Sequence, residues 1–165
     1  MKHVVPIPEK HDGKLGDRSN TRVWLRLLSC TMAIEKELQR RFVERGTTLP
    51  RFDVLAALDR NPDGMTMGAL SKALLVSNGN ITQLTQKLKR DGLIDVTPLP
   101  SDRRTQIVRM TEEGAQQFHK LARAHNDWID QMLTGLDFSQ RERMYVALGT
   151  MKISIAKAAQ GRKAR

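Results

Sequence analysis

Two short stretches of this 165-residue chain carry side chains suited to chemistry away from any core. In the run from Ser77 to Arg90, an advance of about 100° per residue places Leu84 and Leu88 within roughly 60° of Ile81. Gly79, Gln83, Gln86 and Arg90 then fall on the opposite side, flanked by Thr82 and Lys87. That side holds amides, a hydroxyl and cations, without a carboxylate. Gln pairs in bidentate fashion with adenine, Lys with guanine, and Thr reaches a phosphate or a thymine methyl, so the face suits a major groove. Asn78 and Asn80 lie in the first turn, where outward backbone N–H groups attract phosphate. Gly79 keeps that turn slim enough for close approach. An ordinary solvated helix face has the same composition, so the second stretch matters. Asp102-Arg103-Arg104 stands at a loop tip, from which an arginine reaches a narrow minor groove whose negative potential favours it. Asp102 repels DNA, and its presence makes sense if it pins an arginine by a fork-like hydrogen bond.

Composition narrows the partners. Lys and Arg number 28 against 18 Asp and Glu, a net charge of +10 that points to a polyanion. The charge is uneven: residues 77–110 carry net +3, residues 111–150 net −2, and residues 151–165 net +5. No apolar run approaches the ~18 residues of a membrane span, and no signal-peptide stretch follows Met1, so a cytoplasmic protein is expected. One cysteine, Cys30, excludes an intramolecular disulfide and a cysteine-based zinc module. Aromatics at 4% exclude a platform of base-stacking rings. We find no Gly-rich phosphate loop, nucleophile elbow or paired carboxylates, so an enzyme is not expected, nor a cofactor.

The elements that must position these residues are mostly helices. Trp24, Leu27, Leu28, Ile34, Leu38 and Phe42 recur at helical spacing, predicting a long amphipathic helix over 22–45 that stops at Gly46. Pro50 opens a second helix carrying Phe52, Val54, Leu55 and Leu58, which ends at Asn61-Pro62-Asp63-Gly64. Thr66 caps a short third helix with Leu70, Leu74 and Leu75, and Ser77 caps a fourth that runs to about Asp91. Two such helices joined by a few residues outline a helix-turn-helix. Residues 93–96 and 106–110 read as strands joined by a basic loop, a β-hairpin directly after it. A fifth helix over 111–134 carries Phe118, Leu121, Ala122, His125, Trp128, Ile129 and Met132, and Ser139-Gln140-Arg141-Glu142 opens a sixth as a capping box. Residues 1–20 and 159–165 read as flexible tails. The fold class is mainly α with a small β-hairpin wing.

This order of elements, with Leu70-Ser71 through Gly92-Leu93-Ile94, then Ser101-Asp102-Arg103-Arg104 and Met110-Thr111-x-x-Gly114, resembles the multiple-antibiotic-resistance regulator (MarR) family of winged helix-turn-helix transcription factors. The resemblance covers roughly residues 22–158. It implies a regulator domain over 21–158, with a DNA-binding part at about 48–110 and dimerisation helices at about 22–46 and 111–158. It also implies a homodimer whose two wings read a pseudo-palindromic operator. By position, Ser77, Asn78, Gly79, Asn80, Thr82, Gln83 and Lys87 become recognition-helix contacts, joined by Gln86 from the face arithmetic. Arg103 becomes the minor-groove residue, Asp102 its orienting partner, and Arg104 a phosphate contact or part of an ion pair. The dimer also has a physical basis, because terminal helices with apolar stripes need cover that a small winged unit does not supply.

Regulators of this family usually bind a small ligand where the dimerisation helices meet the winged part. On matching positions Arg22, Trp24, Arg26, Leu28, Phe52, Leu55 and Phe118 are candidates for that cleft, the arginines pairing with a carboxylate. Core packing is the competing role for the apolar members. Arg51-Phe52-Asp53-Val54-Leu55 and Val76 to Thr82 look most like the branch controlling aromatic-acid degradation, which suggests an aromatic carboxylate or its coenzyme A thioester as effector. The resulting expectation is a ligand-responsive repressor of catabolic or efflux genes. Alternatives are a nonspecific architectural DNA binder and a redox regulator acting through Cys30. Cys30 falls on the apolar stripe of the first helix with no second cysteine to resolve an oxidised form, so a structural role is expected. His119 and His125 are not spaced as paired metal ligands on one helical face, and no metal site is expected.

Overall fold

The computed structural model describes Ile7, residues 18–99 and residues 102–163, apart from the side chains of Arg103 and residues 161–163. The chain divides into two compact units, Met1–Asn126 and Asp127–Arg165, with the boundary inside a helix. Most of the N-terminal stretch expected to be a tail lies outside the described residues. Ser19 and Asn20 are already helical.

In the first unit α1 (Ser19–Glu44) buries only Leu38 and Phe42. The N-terminal half of its apolar stripe is uncovered within the chain, and Val23, Trp24 and Met32 are about half exposed. Cys30 is likewise exposed within the single chain. The stripe there has the right period, but among the described residues little packs against it. α2 (Leu49–Asp59) has proline in its first turn and buries Phe52, Val54, Leu55, Ala57 and Leu58. A turn closed by Gly64 N–H donating to the Asn61 carbonyl then leads into β1 (Met65–Thr66). Gly64 has φ +90°, and a Cβ there would lie 2.7 Å from the Val108 carbonyl oxygen, so only glycine fits.

α3 (Met67–Leu74) begins with the Thr66 hydroxyl accepting from the Ala69 N–H at 3.1 Å. Its end is a Schellman arrangement: Leu75 N–H donates to the Lys72 carbonyl and Val76 N–H to the Ser71 carbonyl. Leu75, expected among the apolar residues of this helix, is instead its left-handed cap and is exposed. α4 (Asn78–Arg90) starts at Ser77, whose Oγ accepts from the Asn80 N–H at 3.3 Å. β2 (Ile94–Leu99) and β3 (Asp102–Met110) form the wing. They are longer than the sequence pattern predicts, because pairing continues through the basic segment that reads as loop. β1 adds to β3 with Met65 opposite Val108 and Thr66 opposite Ile107, giving an antiparallel sheet in the order β1-β3-β2. A two-residue strand has no period to detect, which is why β1 is invisible in the sequence. Pro98 is tolerated because β2 is an edge strand, and the register shifts between Pro98 and Leu99.

α5 (Glu112–Met132) is seated by Thr111-x-x-Gly114. Thr111 Oγ1 donates to the Gly92 carbonyl at 2.7 Å and accepts from the Gly114 N–H at 3.0 Å. A Cβ on Gly114 would stand 2.1 Å from the Leu93 carbonyl oxygen, so this turn lies flush on the base of the wing. The core of the unit holds Phe42, Val54, Leu55, Leu58, Leu70, Ile81, Leu88, Ile94 and Val108, all nearly inaccessible. Phe52 is the hub of an aromatic cluster, with ring centroids 4.9 Å from Phe42, 5.4 Å from Phe118 and 4.9 Å from His125.

In the second unit α6 (Phe138–Lys163) opens with a reciprocal capping box two residues earlier than expected. Asp137 Oδ1 accepts from the Gln140 N–H at 2.7 Å, and Gln140 Oε1 accepts from the Asp137 N–H at 2.8 Å. The cap is therefore Asp137 and not Ser139. The helix also runs through Lys163, into the segment expected to be a tail. Nearly all of it is exposed, including Phe138, Tyr145, Val146, Ile153 and Ile155. Among the described residues no helix is long and apolar enough to cross a membrane.

Candidate nucleic-acid interface

The face of α4 is set by what its other side buries. Ile81, Thr85 and Leu88 are completely buried, whereas Leu84 is only partly so. Thr85 takes a core position because its hydroxyl donates back to the Ile81 carbonyl at 2.9 Å, leaving no unpaired donor inside. Ser77, Asn78, Gly79, Asn80, Thr82, Gln83, Gln86 and Lys87 are all exposed, as the helical arithmetic predicts. No hydrogen bond or ion pair among the described residues engages the side chains of Gln83, Gln86 or Lys87. Thr82 Oγ1 donates to the Asn78 carbonyl at 2.9 Å, and the residue stays exposed with its hydroxyl still able to accept. The first turn contains no acidic residue, and Lys87, Lys89 and Arg90 lie in the last. A Cβ built on Gly79 meets nothing within 4 Å, so no packing among the described residues requires glycine there.

Two features hold this face in place. Arg51 Nη2 of α2 lies 2.5 Å from Asp91 Oδ2 at the C-terminal cap of α4, tying the two helices together. That brace was not visible in the sequence, since it joins residues 40 apart. The second is the aromatic cluster beneath α2. Burial raises the pKa of the Asp53 carboxyl beside that cluster, with Glu35 adding to the shift and His125 and Arg60 opposing it.

In the wing, Asp102 Oδ2 accepts from Thr105 Oγ1 at 2.8 Å and Oδ1 from the Arg104 backbone N–H at 3.0 Å. These two bonds, the hydroxyl first, hold its pKa below the usual carboxylate value. Asp102 thus shapes the backbone at the wing tip and meets Arg104 through its N–H. The Arg103 side chain, the expected minor-groove reader, lies outside the described residues. Arg104 is exposed and lines a recess of about 440 Å³ with Thr66, Met67, Gly68, Thr105 and Gln106, between the start of α3 and the wing.

The residues proposed for a ligand cleft separate into two sets. Phe52, Leu55 and Phe118 are core, none more than 7% exposed. Arg22 and Arg26 line a small recess on α1 with Ser19 and Val23, while Trp24 is half exposed and Leu28 half-buried. No described cavity unites them. His119 Nε2 lies 3.2 Å from Asp59 Oδ1, and the His125 ring stacks against both Phe42 and Phe52, so both histidines bind α5 to its neighbours. Among the described residues no cluster of His, Cys, Asp and Glu could hold a metal ion.

The MarR family profile matches residues 45–105, the stretch that contains α2 to the wing. A transcriptional activatory protein, BadR of Rhodopseudomonas palustris, is 36% identical over 103 residues, 61% of this chain and 59% of BadR. The matched part thus spans about three fifths of that relative. The crystal structure of a MarR family transcriptional regulator from Silicibacter pomeroyi superposes with a TM-score of 0.70 at 31% identity, covering 82% of this chain and 94% of that one. The fold also matches CouR from Rhodococcus jostii RHA1 bound to p-coumaroyl-CoA, with a TM-score of 0.67 at 20% identity over 78% of this chain and 90% of that one. With the winged sheet, the outward amide face of α4 and a full-length relative in agreement, the chain belongs to the MarR family of transcriptional regulators.

Proposed function

We propose that this protein is a cytoplasmic, homodimeric DNA-binding regulator that places α4 in the major groove and Arg103 of the wing in the adjacent minor groove of a pseudo-palindromic operator. The observation that carries this reading is the partner-free face of Gln83, Gln86 and Lys87, mounted on the buried stripe of Ile81, Thr85 and Leu88. Side chains already engaged within the fold do not pair with bases; these are open. A dimer supplies the cover that α1 and α6, each in its own unit, lack over Trp24 and Met32 or Phe138, Tyr145 and Ile153.

The proposed effector is an aromatic carboxylate or its coenzyme A thioester, with Arg22 and Arg26 offering the anion site. The complex of CouR with an aromatic thioester supports this class. Release of the operator on binding makes the protein a repressor. A second reading, activation, is favoured by the name of BadR.

Selection of duplex DNA from a random pool, followed by affinity measurement at physiological salt, tests the DNA reading. Enrichment of a two-fold symmetric site bound far more tightly than random DNA is expected. Equal affinity for both makes the protein an architectural binder instead. Thermal melting across a panel of aromatic acids and their thioesters tests the effector, because a ligand that binds only the folded state raises the midpoint. A reporter driven by the selected site then separates repression from activation.

A further inference from the structure

Leu75 is the one non-glycine residue with positive φ among the described residues, at φ 55° and ψ 35°. It is also the most exposed large apolar side chain among them, at 92%. Glycine is the usual occupant of such a cap, because the left-handed conformation crowds a Cβ. A leucine held there in solvent is unfavourable twice, once for its backbone and once for its surface. The turn around it is closed by hydrogen bonds: the paired Schellman bonds are joined by Ser71 Oγ donating to the Val76 carbonyl at 2.7 Å. The side chain is therefore presented from a hydrogen-bonded turn, two residues before the Ser77 cap of α4.

Its neighbours in the chain say what it meets. Ser77, Asn78, Gly79 and Asn80 are exposed and polar, and Lys72 and Ala73 precede it on the surface. A protein partner calls for a contiguous apolar patch. A single apolar point within an amide and hydroxyl rim instead matches duplex DNA, which offers isolated hydrocarbon surfaces, thymine methyls and deoxyribose faces, among polar groups. We propose that Leu75 is a DNA-contacting residue that packs on such a hydrocarbon surface at the lip of the groove read by α4. This rests on the reading of α4 as the recognition helix.

The test uses the full chain and the DNA selected from a random pool, with Leu75→Gly, Leu75→Asn and Leu75→Met. Gly and Asn suit the backbone, so both variants should melt at or above the wild-type temperature. Both should lose about five- to tenfold in operator affinity, the scale of one small apolar contact, while Met stays within about twofold. The slope of log affinity against log salt should not change, because no phosphate contact is lost. Thymine-to-uracil replacements along the site remove one methyl at a time and name the source. A uracil that weakens wild type but not Leu75→Gly identifies a thymine methyl. Equal loss by the variants on operator and random DNA, with no uracil effect, identifies deoxyribose.

Gly and Asn variants that bind as wild type does overturn the inference, as does an equal loss in all three, which would trace the effect to the turn itself. A pool that enriches no sequence defeats the reading of α4. An enriched site bound equally by wild type and the variants defeats only the role of Leu75.

Discussion

Gly79→Ala separates folding from reading at the recognition helix. Gly79 is the second residue of α4, its φ is not positive, and a Cβ there meets nothing within 4 Å. Alanine therefore fits without strain. It should stabilise the fold by about 0.5–1 kcal/mol, since glycine in a helix carries the larger entropy loss on folding. For a chain of this size about 1 kcal/mol moves the melting midpoint by ~2–4 °C, so a rise of roughly 1–4 °C is expected. Binding should move the other way. If the first turn of α4 approaches DNA closely enough for its N–H groups to meet a phosphate, one added methyl pushes the backbone off. Loss of one hydrogen bond to a charged oxygen, about 1.5–3 kcal/mol, lowers operator affinity roughly ten- to a hundredfold. Calorimetric melting and fluorescence anisotropy on the selected operator read the two effects separately. A stabilised Gly79→Ala protein that binds the operator within twofold of wild type would refute the close approach and make the glycine incidental.

Gly114→Ala should do the reverse on stability: its methyl would overlap the Leu93 carbonyl oxygen, so a cost of about 1–3 kcal/mol and a clear fall in the melting midpoint are expected. An unchanged midpoint would mean the α5 start is not seated on the wing as described. Asp53→Asn should stabilise in a pH-dependent way. Because burial raises the Asp53 pKa, wild type is favoured while that group is protonated and loses stability as pH rises through its folded value. The melting difference, Asn minus Asp, should therefore be small near pH 4 and larger at pH 7; a difference that shrinks with pH contradicts the assignment. Arg103→Ala should weaken operator binding by ~1–3 kcal/mol, whereas Gln83→Ala should relax preference at a defined base pair, read by repeating the selection. Cys30 is exposed on the single chain. A peroxide-induced loss of binding that survives in Cys30→Ser removes the thiol from any regulatory role.

Much of the site was legible because it depends on local rules. The caps at Thr66, Ser77 and Thr111 follow from a hydroxyl placed three residues before an unpaired N–H, and each is found. The outward set on α4 follows from helical period plus one anchored apolar residue. Where two local solutions compete, the pattern misleads: Ser139-x-x-Glu142 and Asp137-x-x-Gln140 are both capping boxes in sequence, and the structure uses the second. Leu75 reads as one more helical leucine because its distinguishing property is a backbone angle, not a residue type.

The sequence by itself determined the order of the six helices and the wing hairpin, the stripe that α4 buries and the residues it turns outward, because periodicity and capping act within a few residues. Tertiary structure alone decided what lies far apart in the chain. It paired β1 with β3, set Arg51 against Asp91, gathered Phe52 and Phe118 into one buried aromatic cluster, and left Cys30 exposed on the single chain. The physical reason is the same in each case: an apolar stripe or a charged side chain states what it needs to meet, and only the folded chain shows whether that partner is there.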